Sequence, residues 1–433
     1  MSPSVHRINL STLPTLGRDV AGLLNDGCFC IGLDRAHLAR RFAEASGDPA
    51  FFETHETGRS HLFADVPLFL DRDSLAQMEA TIGAIERAKL LSNYKDTVLA
   101  WAPDIARVED GMAGVFMGYD FHMGPEGPRL IEINTNAGGA VLNALMAQAH
   151  VPCCPEVSLL LQLPFVRNFE QSMMAMFREE WRRFGAERAL TTVAIVDEDP
   201  EGQFLYPEFV LVRAILERHG IVARVVASDG LTFSDGRLWA DGFAIDMVYN
   251  RLVDFALERT EYGALRAAYL DHAVALTPGP RHHALLADKR NLVVLSDRQH
   301  PMQALLSAED RVALERVPQT EVVNALNAAR LWDTRKGYFF KPFGGHGSKA
   351  VYRGDKVTRK VWESIVAGGY VAQVMVALGR RQVKVGDDQV GLKSDIRIYT
   401  YDGASLLAVA RLYDGQTTNM RTSGGGFAPV LLV

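Results

Sequence analysis

The sequence predicts a mixed α+β and α/β fold, in which a small open α/β unit is joined to a larger body of antiparallel strands. Three features point there. Residues 193–196 form an apolar strand, Glu208 to His219 a helix that stops at Gly220, and residues 222–226 a second strand, a β-α-β order that implies a parallel pair. Two strand pairs are closed by short turns, one around Gly124 to Gly127 and one at Asp402-Gly403, where aspartate and glycine tolerate positive φ. Finally, 433 residues exceed what one hydrophobic core usually organises.

The elements follow in order. Leu75, Met78, Ile82, Ile85 and Leu90 recur near helical spacing, so a helix is expected over Ser74 to Leu91. Strands Gly114 to His122 and Arg129 to Asn134 flank the first turn, and the small-residue segment Thr135 to Gly139 leads into a helix over Ala140 to Ala149. A helix from Leu163 to Phe184 ends before Gly185. The α/β unit continues through strands at Ile245 to Arg251 and Ala273 to Thr277. Beyond it come a strand at Tyr338 to Pro342, a glycine-rich loop, a helix over Arg359 to Ala367, a strand at Tyr370 to Val376, and the hairpin of Ser394 to Tyr401 with Ser405 to Tyr413. The chain thus divides into 1–189, 190–285 and 286–433.

A hydrophobic fraction of 48% with 23% charged residues is that of an ordinary globular protein. The net charge of -6 and pI near 6.1 argue against a nucleic-acid partner, which would call for a basic face. No stretch reaches bilayer length, and residues 1–18 lack the charged-then-apolar pattern of a secretory signal, so no membrane partner and a cytoplasmic location are expected. The four cysteines, Cys28, Cys30, Cys153 and Cys154, lack C-x-x-C spacing and are expected to be buried thiols.

Chemistry concentrates in two segments. In Gly118-Tyr-Asp120-Phe and Ile131-Glu132-Ile133-Asn134, side chains two apart on a strand share a face, so Glu132 and Asn134 project together while Ile131 and Ile133 pack behind. Asp120 on the paired strand reaches the same place. Two carboxylates and an amide oxygen are hard ligands suited to Mg²⁺. In Phe339-Phe-Lys341-Pro-Phe-Gly344-Gly345-His-Gly347-Ser348-Lys, an apolar strand ends in a lysine ahead of glycines, whose backbone N–H groups can approach phosphate oxygens. The order is not that of a Walker A loop.

Together these segments resemble the ATP-grasp superfamily, in particular glutathione synthetases and glutathionylspermidine synthetase. Gly118-Tyr-Asp-Phe with Leu130 to Asn134 resembles the magnesium hairpin, and Lys341-Pro with its glycines resembles the loop over the β- and γ-phosphates. The strand at Tyr370 to Val376 is similar to the adenine-side hinge, with backbone groups around Gln373, Val374 and Val376 reading the base. Ala287-Asp-Lys289-Arg resembles the lysine-bearing helix before the phosphate loop, while Lys393 to Arg397 with Ala410-Arg411-Leu resembles strands that supply phosphate-binding arginine. Since the metal hairpin comes first in the chain, the resemblance implies a circularly permuted ATP-grasp fold. Residues 190–285 would be its small pre-ATP-grasp-like, substrate-side domain, and 286–433 its lid with the phosphate and adenine sites. The strand Ala428 to Val433 is then expected near the metal hairpin.

The resemblance implies ATP and Mg²⁺ as cofactors and a ligase that joins a small-molecule carboxylate to an amine or thiol through an acyl phosphate. Asp120, Glu132 and Asn134 would hold metal. Lys289, Lys341, Gly344, Gly345, Gly347, Ser348 and Arg411 would bind phosphate, with Arg411, Lys341 and Arg397 as catalytic groups. For substrate, Asn136, Gly138 and Gly139 offer backbone donors at a helix start, Arg251 can clamp a carboxylate, and Asn419 and Arg421 are candidates in a glycine-rich stretch. A structural salt bridge is the competing reading of Arg251 and Arg421. A kinase on the same fold and a non-catalytic nucleotide-binding scaffold are the alternatives. Homodimers are common among such enzymes, although the sequence does not encode oligomeric state legibly.

Overall fold

The structure, a computed structural model, describes residues 17–56, 61–152, 166–345, 350–416, 418 and 421–433. Gly347, Ser348, Asn419, Cys153 and Cys154 lie outside the described residues.

In chain order, α1 (Gly17–Gly27) is followed by β1 (Leu68–Leu70) and α2 (Arg72–Ala88). Asp71 caps α2, accepting from the Ser74 amide at 2.8 Å and its hydroxyl at 2.6 Å. Leu75, Met78, Ile82 and Ile85 face inward as their spacing predicts, whereas Leu90, past the helix end, is 64% exposed. The hairpin of β2 (Met117–Gly124) and β3 (Gly127–Asn134) leads to α3 (Ala140–Gln148) and α4 (Phe169–Arg183). Then come β4 (Thr192–Asp197), α5 (Tyr206–Arg218), β5 (Val222–Ala227), β6 (Met247–Asn250) and β7 (Ala275–Thr277). The last third holds α6 (Arg290–Ser296), β8 (Thr320–Val322), β9 (Tyr338–Pro342), β10 (Tyr352–Arg353), α7 (Arg359–Val366) and β11 (Tyr370–Val374). It closes with β12 (Gly379–Val385), β13 (Asp388–Tyr401), β14 (Ala404–Tyr413) and β15 (Gly426–Leu432).

Three sheets position the site. The central one runs β1-β15-β14-β13-β2-β3, with β12 also paired to β13. The C-terminal strand β15 therefore shares the sheet of the β2–β3 hairpin, but β14 and β13 stand between them. Its long hairpin turns at Asp402 (φ 48°) and Gly403 (φ 79°), the double positive φ expected there. The second sheet, β7-β6-β4-β5, is parallel throughout, in agreement with the β-α-β pattern. Strand β6 is shorter than the expected 245–251 run, because Phe243–Ile245 belongs to a separate antiparallel meander. The third sheet, β8-β11-β9-β10, is antiparallel and carries Lys341 and Gln373.

Both faces of the central sheet are covered. Along β14, Leu407 and Val409 pack into the core shared with α3, α4 and the parallel sheet, while Ala408, Ala410 and Leu412 pack into the core under α2. That double burial explains why this antiparallel strand reads as a continuous apolar run rather than an alternating one. No helix among the described residues is long and apolar enough to cross a membrane.

Candidate active site

In the β2–β3 hairpin, Asp120 lies opposite Glu132, but the register then slips so that Phe121 faces Leu130. Ile131 is the extra residue of this bulge. Leu130 and Ile133 are buried and Ile131 is not, which corrects the expected pairing of Ile131 with Ile133 behind the strand. The bulge frees the Ile131 carbonyl, which accepts from Lys341 Nζ at 2.7 Å.

Asp120 is 2% exposed and surrounded by donors. Arg397 grips it with Nε at 2.6 Å and Nη2 at 2.7 Å, Arg411 Nη2 adds a bond of 2.8 Å, and Asn134 Nδ2 one of 3.1 Å. Burial pushes the Asp120 carboxyl up, but the two guanidinium groups outweigh it and hold it well below the usual carboxylate range. Arg411 is shared: its Nε donates at 2.6 Å to Asp395, which is 0% exposed and also accepts from Thr418 at 2.8 Å. Gly118 makes this packing possible, since a Cβ there would stand 3.3 Å from Arg397 Nε and 2.6 Å from Ala137 Cβ.

The two lysines converge on the same strand. Lys289 Nζ donates to the Gly345 carbonyl at 3.2 Å and stands 3.6 Å from Glu132, tying the start of α6 to both the glycine loop and the hairpin. Lys341 also bonds Gln373 Oε1 at 2.7 Å, and burial, with the nearby Lys289 charge, lowers its pKa to about 8. His122 on β2 is buried beside Lys341 and Arg411 and is pushed to about 3, so it is neutral at physiological pH. Gln373 thus engages a lysine through its side chain.

Glu132, Asn134, Asn136, Lys289, Gly345 and Arg251 line one cleft of about 570 Å³. Arg251, 8% exposed, lies over Phe209 (5.7 Å) and Tyr249 (5.3 Å) but is sparsely bonded. Nη1 donates to Tyr249 Oη at 3.2 Å, Nη2 reaches the Asn136 carbonyl only at 3.5 Å, and Nε has no partner among the described residues. Asn136 Oδ1 is likewise buried without a partner. No ion pair holds Arg251 among the described residues, which separates it from the saturated Arg397 and Arg411.

Gly138 is needed for this approach, as a Cβ would stand 2.8 Å from Arg251 Nη2 and 2.7 Å from Leu205 Cδ1. The amides of Val141 and Leu142 at the start of α3 already donate to Glu208, at 3.1 and 3.0 Å. These amides, which follow the Asn136, Gly138 and Gly139 segment expected to meet a substrate, are engaged within the chain.

Sequence reasoning missed Asp197, Glu208 and the Phe255–His283 stack. Asp197 ends β4 beside Arg251 and lines the cleft; burial raises its pKa. A polar residue closing an apolar parallel strand, at the carboxyl edge where ligands bind, was the available signal. His283 stacks on Phe255 at 3.7 Å and 8° and is driven to about 3 by burial, giving a flat, uncharged wall. Arg421 is described but does not line the cleft.

A larger cleft of about 850 Å³ lies at the other end of the hairpin, between its turn at 124–127 and Val374, Met375 and Val376. Two of the hinge amides are engaged, Val374 N with Gln319 O at 2.9 Å and Met375 N with Gly337 O at 2.8 Å. Lys341 and Ile131 stand between the two clefts and line neither.

Glu132 and Asn134 face the first cleft with oxygens suited to Mg²⁺, so this part of the ligand set fits. Asp120 fits by position, opposite Glu132, but its oxygens are held by arginine. Among the described residues, no group of three or more histidine, cysteine, aspartate or glutamate side chains is placed to hold a metal ion.

No protein-family model matches the sequence, and no curated protein matches it. Among solved structures, a glutathione synthetase-like effector from Globodera pallida aligns at 13% identity over 92% of this chain and 98% of its own, with a TM-score of 0.54. A protein assigned as a γ-glutamylcysteine synthetase from Methylobacillus flagellatus aligns at 14% identity over 80% and 86% of the two chains, with a TM-score of 0.44. The ATP-grasp ligase PsnB, in a complex with precursor, Mg and ADP, aligns at 16% identity over 55% and 87%, with a TM-score of 0.29. The first of these shows that the chain has a glutathione synthetase-like fold along nearly its whole length, as the motifs led one to expect.

Proposed function

We propose that the chain is an ATP- and Mg²⁺-dependent ligase that activates a small carboxylate as an acyl phosphate and passes the acyl group to an amine or thiol. The observation that carries this reading is the meeting of Glu132, Asn134, Lys289 and Gly345 with the under-bonded Arg251 in one cleft. The residues at one end suit phosphate and metal; those at the other suit a carboxylate. In the permuted ATP-grasp reading, 1–189 supplies the metal hairpin, 190–285 the substrate side, and 286–433 the lid.

Transfer of a phosphoryl group needs alignment and charge neutralisation more than covalent help from the protein. Bound Mg²⁺, held by Glu132, Asn134 and, once released from arginine, Asp120, would neutralise phosphate charge. Lys289 and Lys341 bind phosphate oxygens, and Lys341, buried between the clefts, orients the nucleotide that spans them. Arg411, freed from Asp120 yet still held by Asp395, points its remaining donors at the transferring group. Arg251 takes a substrate carboxylate in its planar fork, and Asp197 beside it offers a counter-charge to an ammonium. The acceptor amine attacks the acyl carbon, the C–O bond to phosphate breaks, and inorganic phosphate leaves with the bond electrons.

The test is a screen of amino acids and short peptides for ADP release with ATP and Mg²⁺. ADP with free phosphate and an amide or thioester product is the expected outcome. ADP with a stable phosphorylated product would replace the ligase by the kinase alternative.

A further inference from the structure

The segment between α1 and the strand Ile31–Leu33 holds Cys28 and Cys30, whose sulfurs lie 3.3 Å apart. The expectation of buried, inert thiols fails here: Cys30 is exposed and Cys28 half-buried. The sulfurs meet across the one residue between them. Phe29 is that intervening residue, and it is firmly placed. It packs against the core beneath the central sheet, with the Arg381 guanidinium 5.5 Å and the Lys384 ammonium 5.1 Å from its ring. Cys28 leans on a separate small cluster of Ala21, Ile31, Phe69 and Leu431. Phe29 and Cys28 are therefore both packed in place, and the two sulfurs face each other.

The backbone of the segment is also anchored. Arg381 is 0% exposed and donates to the carbonyls of Cys28, Asn25, Pro67 and Gln382. The pair differs from a structural disulfide in that one sulfur is open to solvent and the other is shielded, the usual division between an attacking and a resolving thiol.

We infer that Cys28 and Cys30 form a reversible redox pair that closes to an intramolecular disulfide by exchange with an external disulfide. The Cys30 thiolate attacks one sulfur of the external disulfide, forming a mixed disulfide and releasing one thiol. Cys28 then attacks the Cys30 sulfur and expels the second thiol. The two protein thiols lose two electrons and two protons, and the external disulfide gains both. The sulfurs need approach only to the bonding distance of about 2.05 Å. A ring closed across a single intervening residue is strained and exposed, which places such a disulfide among the readily reduced, regulatory kind. The inference does not depend on the proposed ligase activity.

The test incubates the full chain, with Cys153→Ser and Cys154→Ser as background, with glutathione disulfide and maps the peptide spanning 28–30 by mass. The pair predicts loss of two hydrogens from that peptide without a retained glutathione, reversed by dithiothreitol. Cys28→Ser should trap glutathione on Cys30, and Cys30→Ser should slow modification of Cys28 at least about tenfold, as expected for a shielded thiol. A stable glutathione adduct on the unaltered pair, or a peptide that stays reduced while Cys28→Ser is readily modified, would overturn the inference. Should the background substitutions prevent folding, the same peptide is read in the natural chain.

Discussion

Lys341 gives the sharpest quantitative prediction. Its ammonium is buried between the two clefts with, among the described residues, only the Ile131 carbonyl and Gln373 Oε1 as partners, and burial, aided by Lys289, lowers its pKa to about 8. In the unfolded chain a lysine titrates near 10.4. The folded pKa is the lower one, so charged Lys341 costs stability on the order of 3 kcal/mol at neutral pH, and that cost is relieved as pH rises from about 8 toward 10.4. Bound triphosphate reverses the balance by supplying negative charge beside the ammonium. Free protein at pH 8 holds Lys341 about half protonated, and the complex holds it fully protonated, so binding should take up about half a proton. Calorimetry of a non-hydrolysable ATP analogue at pH 8, in buffers of different ionisation enthalpy, measures this directly. Uptake should fall toward zero at pH 6, where the lysine is charged in both states, and should vanish in Lys341→Met if that variant still binds. An uptake of zero at pH 8 in the unaltered protein, or one that persists unchanged in Lys341→Met, would refute the assignment of Lys341 to the phosphates.

Four other substitutions test particular contacts. Arg411→Met leaves Asp395 with one hydroxyl partner, so urea unfolding should show a loss of about 3–5 kcal/mol. Arg397→Met should cost less, about 2–3 kcal/mol, because Arg411 and Asn134 still serve Asp120; the reverse order would contradict the network. Gly138→Ala crowds Arg251 Nη2, and should raise KM for the carboxylate substrate about tenfold while leaving nucleotide affinity unchanged; an unaltered KM would separate Arg251 from the substrate. Gly354→Ala would set a Cβ 1.7 Å from the Arg335 carbonyl oxygen, so thermal unfolding should show destabilisation of at least about 3 kcal/mol; a variant as stable as the parent would disprove that close approach.

Much of the fold was legible because periodicity and turn chemistry act locally. The Asp402-Gly403 hairpin, the parallel β4–β5 pair and helix α2 each announce themselves in a short stretch of contiguous sequence. The bulge at Ile131 does not, since a strand's sequence records alternation but not the single residue where the partner slips. Helix α4 starts at Phe169, later than the apolar run from Leu163 suggested, and a 3₁₀ turn at Val166–Asn168 precedes it.

The site shows the same division. Asp120, Glu132, Asn134 and Lys341 were picked out by strand position and spacing and Lys289 by the resemblance alone, and the structure brings them into one neighbourhood. That Asp120 would be gripped by Arg397 and Arg411 was invisible, because the partners lie 277 and 291 residues away. Glu208 was hidden likewise: a glutamate in a helical stretch reads as solvated until the start of α3 is seen to end on it. The cysteines failed for a different reason, since spacing rules recognise C-x-x-C and say nothing of a C-x-C segment whose middle residue is pinned.

The most direct test of the central claim is calorimetric titration with an ATP analogue, with and without Mg²⁺, on the unaltered chain and on Glu132→Ala with Asn134→Ala. The account predicts binding that strengthens with Mg²⁺ in the unaltered chain and loses that dependence in the variant. Absence of nucleotide binding in both proteins would contradict it, and would leave a glutathione synthetase-like fold serving as a scaffold.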